Sequence, residues 1–111
     1  MTTFTDDDMR AELQHAQPYT AMLLRAGPKY GTDGADRIIW EHGRRNFELR
    51  ADGRLAIVLP VRDDSELAGL AVFALSADET AEVMRGDPAV QAGVLEFELH
   101  PVVGFPGDAL P

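Results

Sequence analysis

Apolar and polar positions change period along this chain, and each change marks an element. Residues 19–25 are mostly apolar and are followed by Gly27 and Pro28, which predicts a first strand closed by a turn. From 35 to 50 the period becomes helical. At about 100° per residue, Ala35, Ile38, Ile39, Trp40, Phe47 and Leu49 fall in one broad arc, with Glu41, Arg44, Arg45 and Glu48 opposite. The charged side offers two i,i+4 pairs, Glu41 with Arg45 and Arg44 with Glu48, each contributing ~0.3 kcal/mol. His42 and Asn46 interrupt the apolar arc one turn apart, on the side expected to meet a sheet or a cavity beside it.

Residues 54–61 and 69–75 are nearly continuous apolar runs joined by the polar stretch Arg62, Asp63, Asp64, Ser65 and Glu66, the pattern of an antiparallel hairpin. Ser76-Ala77-Asp78-Glu79 matches a capping box, so a second helix starts there, turns Thr80, Val83 and Met84 inward and stops at Gly86-Asp87-Pro88. Over 94–100, Leu95, Phe97 and Leu99 alternate with Glu96, Glu98 and His100, as in a strand with one buried face. Thr5, followed by Asp6, Asp7 and Asp8, caps a short helix over 6–16 that Gln17 and Pro18 end.

Without that first helix the order is βαββαβ, which predicts an α+β, ferredoxin-like fold with both helices on one face of a four-stranded antiparallel sheet. The two middle strands are apolar on both sides, and one layer of helices covers only one. A sheet-to-sheet homodimer would hide the other face and enclose a space for a small-molecule ligand; the N-terminal helix folding over it is the alternative. The expected organisation is one domain over 1–111, with a helical extension at 1–17, a core at 18–102 and a tail at 103–111.

Charge narrows the partners. Nineteen acids against 10 Lys+Arg leave a net charge of -9, which argues against nucleic acid and anionic membrane surfaces. There is no cysteine, no basic and apolar leader at the N-terminus and no apolar run of membrane-spanning length, so a cytoplasmic location is expected.

Gly86-Asp87-Pro88-Ala89-Val90-Gln91-Ala92-Gly93-Val94, followed by a strand and His100-Pro101, resembles the YciI-like (YCII-related) family, and the resemblance extends over roughly 18–102. It implies a dimeric α/β barrel in which a histidine of the first core helix and the Asp-Pro aspartate form the polar part of a site, here His42 and Asp87. Most of that family has no assigned activity. One type looks like a dehydrochlorinase acting on an aromatic ring, and the structurally similar muconolactone isomerases move protons on small rings. This chain has Leu59-Pro60 where the family often has Gly-Pro, which implies a different pocket wall.

Imidazole gives and takes protons near neutral pH, so His42 is the candidate acid/base; its plainer role is a core histidine bonded to backbone. Asp87 either orients His42 and stabilises its cationic form or simply ends a helix before a proline. Asn46 either orients a substrate oxygen or satisfies a buried edge. Arg25, at the end of the first strand, either binds an anionic ligand or lies exposed at an edge, and Tyr19 and Tyr30 are read as packing. His15 and His100 are surface or edge residues, and the three histidines make no zinc spacing. Gly27, Gly31 and Gly34 lack the lysine of a phosphate-binding loop, and Ser65 and Ser76 belong to a turn and a cap. With no metal or cofactor motif, the expected enzyme is a cofactor-free lyase or isomerase acting on a small organic molecule. The alternative is a non-catalytic dimer that binds a metabolite or a protein partner.

Overall fold

The structure is a computed structural model describing residues 1–111. The chain runs α1 (Asp6–Leu13), β1 (Gln17–Ala26), α2 (Ala35–Ala51), β2 (Leu55–Pro60), β3 (Leu67–Phe73), α3 (Ala77–Arg85), α4 (Pro88–Gln91) and β4 (Leu95–Gly104). It is an α+β arrangement with one open antiparallel sheet in the order β2-β3-β1-β4, compatible with a ferredoxin-like fold.

Capping sets the helix starts. Ser76 accepts from the Glu79 amide while the Glu79 carboxylate accepts from the Ser76 amide, and Thr5 and Asp8 do the same for α1. Hydrogen bonds from the Ser76 backbone and then its hydroxyl hold the Glu79 carboxyl below its ordinary value of 4.5. A depressed folded-state pKa adds stability above the unfolded value, and that stability is lost as pH falls through the folded value. Wild type is therefore expected to lose more stability than Glu79→Gln as pH drops below 4.5, measured as thermal midpoints at about pH 6 and pH 3.

The sheet has two unlike faces. Met22, Leu24, Ala71, Phe73 and Leu95 are buried under α2, α3 and α4, where Leu49, Met84 and Ala89 complete the core. No helix covers the other face, which carries Leu23, Ile57, Leu70 and Val72 on β1 to β3 but Glu96, Glu98 and His100 on β4. In particular, α1 does not cover it. That helix buries no residue, and Phe4, Met9 and Leu13 are exposed. It lies beyond a two-stranded ribbon formed where β1 and β4 overrun β3, pairing from Gln17 with Gly104 to Tyr19 with Val102. The molecule is accordingly long, 55 × 29 × 22 Å, with a radius of gyration of 16.3 Å against ~13 Å for a compact chain of this length.

Several expectations are corrected. The N-terminal helix stops at Leu13, leaving Gln17 and Pro18 to open β1, and β4 continues to Gly104 because Val102 and Val103 still pair with Tyr19 and Pro18. Trp40 and Phe47 are 65% and 58% exposed. They lie about 130° around the helix from the line through His42 and Asn46, farther than a sheet beneath one side can reach. The expected pairs of α2 are also replaced. Glu41 bonds Arg37 and Arg44, while Arg45 turns inward.

The loop after β1 crosses close to the turn before β4. The Gly27 amide donates to Val94 O, and a methyl group at Gly27 would collide with the Gly93 carbonyl. Gly27→Ala is expected to lower stability by about 1–3 kcal/mol, read from urea unfolding.

Candidate active site

The site begins with the spacing of two residues on α2. His42 and Asn46, one turn apart, are 8% and 5% exposed and face the sheet. Asp87 arrives from the other side of the fold. As N-cap of α4 it follows α3 directly, with Pro88 at the first helical position, where its missing N–H costs nothing. Its carboxylate accepts from the amides of Ala89 at 3.0 Å and Val90 at 3.3 Å. The same fully buried carboxylate lies 2.9 and 3.0 Å from His42 Nδ1.

These contacts set the tautomer. A carboxylate only accepts, so His42 Nδ1 carries the proton, and in the neutral ring Nε2 is left with a lone pair. The Asn46 amide lies 3.1 Å from Nε2 and must present its N–H₂ to that lone pair. Asn46 Oδ1 is then buried with no hydrogen-bond partner.

His42 and Asn46 stand in the wall of a cavity of about 240 Å³ between α2 and strands β2 and β3. Small residues make the room: Gly43 on α2, and Gly69 and Ala71 on β3. Leu24, Val58 and Leu95 supply apolar surface, and Tyr30, His42 and Asn46 are the polar side chains of the lining. No arginine or lysine lines it. The cavity therefore offers a small molecule an apolar bed with His42 and Asn46 in its wall. No three His, Cys, Asp or Glu side chains stand close enough together to hold a metal ion.

The structure thus brings His42, Asp87 and Asn46 together, and it leaves Arg25 out. Arg25 points to the uncovered sheet face, 3.5 Å from Glu66 and 3.6 Å from Glu98. Sequence reasoning missed Arg45. Its Nη2 donates to the Val83 carbonyl at 2.6 Å, and Nη1 lies 3.8 Å from Asp87 Oδ1, the oxygen that also faces His42. No periodicity marks Arg45 as different from its charged neighbours. Tyr30, read as packing, stands at the cavity wall with half its surface exposed. His100 is an exposed strand residue bonded to Glu98, whose carboxyl is held below its usual range mainly by that bond.

No protein-family model matches the chain, and no curated protein matches it at a significant level.

Proposed function

We propose that this protein is a cofactor-independent lyase or isomerase of the YciI-like kind that moves a proton on a small organic molecule. The observation carrying this reading is the buried chain Asp87, His42, Asn46, with carboxylate to Nδ1 at 2.9 Å and amide to Nε2 at 3.1 Å, opening on an apolar cavity. Asp87 holds the ring in the tautomer that presents the Nε2 lone pair to the cavity, the orienting role of a carboxylate beside a catalytic histidine. A substrate C–H or O–H displaces the Asn46 N–H from Nε2, and its proton passes to the ring. The imidazolium then returns that proton to a neighbouring atom, completing an isomerisation, or to a departing group, completing an elimination. Asn46 Oδ1 accepts from a substrate hydroxyl or N–H meanwhile. The apolar half of the uncovered sheet face fits a sheet-to-sheet homodimer, and the lack of cysteine fits a cytoplasmic location.

One observation favours a second reading, a non-catalytic dimer that binds a small metabolite. In the resting structure the His42 lone pair is already occupied by Asn46, so no basic nitrogen stands free to take a proton.

Proton exchange separates the two. Small cyclic carbonyl compounds incubated with the protein in D₂O are expected to take up deuterium at an acidic C–H, detected by NMR, and His42→Ala is expected to abolish the uptake. Binding without exchange would favour the second reading instead, and exchange equal in both proteins would overturn His42 as the base.

A further inference from the structure

The outer side of α2 carries a surface that the monomer does not use. Asp36, Trp40, Gly43, Phe47 and Ala51 line a groove along the helix, with the two aromatic rings 65% and 58% exposed. Gly43 borders this groove as well as the His42 cavity. It sits mid-helix with negative φ, nothing stands within 4 Å of where its Cβ would be, and glycine there lowers helix stability by ~1 kcal/mol relative to alanine. A glycine between two exposed aromatics allows the backbone of another helix to approach closely.

The charges beside the groove identify that helix. On one flank α2 presents Arg37, Glu41, Arg44 and Glu48 in alternating sign. When two identical helices cross antiparallel about a two-fold axis, a flank meets itself in reverse order. Centred near Gly43, this places Arg37 opposite Glu48 of the partner subunit and Glu41 opposite Arg44 of the partner subunit. Asp36 meets Arg50 of the partner subunit on the other flank, and Trp40 meets Phe47 of the partner subunit across the glycine. Each charge faces its opposite. α1, the other free helix, has only Met9, Ala11 and Leu13 as apolar residues and no alternating flank.

We propose that α2 is a self-association surface, on which a second copy of this chain docks antiparallel about Gly43, in addition to any contact through the open sheet face. Ile39, Gly43 and Phe47 belong both to this groove and to the wall of the His42 cavity, so the docked copy stands at the mouth of that cavity. The proposal does not depend on any chemistry at His42.

Trp40 is the single tryptophan, so its emission reports this contact alone. Emission is expected to shift to the blue as chain concentration rises, in step with a doubling of particle mass in sedimentation. Arg37→Glu and Glu48→Arg, each applied twice across a two-fold contact, are expected to weaken association about tenfold or more. An equimolar mixture of these two single variants is expected to recover it, because each copy then supplies the charge the other has lost. Gly43→Leu is expected to raise the unfolding midpoint of the monomer while abolishing association. A water-exposed Trp40 emission at every concentration, or a mixture no better than its components, would overturn the proposal. So would loss of the blue shift in Met9→Asp/Leu13→Asp, which would assign the groove to α1.

Discussion

Asp87→Ala is expected to lower the unfolding free energy by about 3–5 kcal/mol, the scale of a lost cap together with buried donors left without an acceptor. Three donors lose their acceptor at once: the amides of Ala89 and Val90, and His42 Nδ1–H. Loss of an N-cap costs about 1 kcal/mol, and each buried donor left without a partner adds about 1–3 kcal/mol. Arg45, 3.8 Å away and already carrying an unpartnered buried Nη1, would lose its nearest carboxylate too. Against a typical total of ~5–15 kcal/mol, such a loss leaves little margin. Asp87→Asn should recover the cap portion, since its carbonyl still accepts from the amides, so the difference between the two variants measures the cap and the shortfall of Asp87→Asn from wild type measures the contact with His42. Urea unfolding with an unchanged slope is the measurement. An Asp87→Ala midpoint within the error of wild type would show that the carboxylate does not hold α2 and α4 together.

His42→Ala is expected to reduce catalysed proton transfer by about 10²–10⁴-fold, the usual contribution of a positioned acid/base group. The fold should tolerate this change better than the loss of Asp87. With His42 gone, Asp87 keeps both α4 amides and the neighbouring Arg45, so its charge remains partnered. Activity and stability therefore separate in opposite senses at two residues in direct contact: His42→Ala loses turnover with the fold retained, and Asp87→Ala loses the fold first. A purely structural His42 would give turnover falling only in proportion to the folded fraction. Rates on exchangeable substrates, normalised by circular dichroism, distinguish the outcomes.

Much of the fold is legible along the chain because its determinants are local. Ser76 and Glu79, or Thr5 and Asp8, are three residues apart and cap their helices whatever the rest of the molecule does. The alternation of Leu95, Phe97 and Leu99 with charged residues states which face of β4 is buried, and the register against Met22, Leu24 and Ala26 agrees. The inward placement of His42 and Asn46 follows from helical spacing in the same way.

Other features depend on what lies opposite, and no local pattern contains that. Trp40 and Phe47 look like core residues, but α2 rests on only part of the sheet and can bury little more than the line from Ala35 through His42 to Leu49. Arg45 resembles a solvated charge until α3 brings the Val83 carbonyl beside it. Arg25 has the chemistry to bind an anion, yet the alternation of β1 directs it to the face away from the cavity, between two glutamates.

The sequence by itself determined the order of the strands and the three longer helices, the caps of α1 and α3, the buried face of β4 and the polar interruption in α2, since all of these are written in local spacings, whereas the short α4 was not legible in them. Only the tertiary structure decided that Asp87, 45 residues from His42, closes onto it. That contact exists because the crossover through β2 and β3 returns the chain to the same side of the sheet, where the end of α3 and the start of α4 meet the inner face of α2.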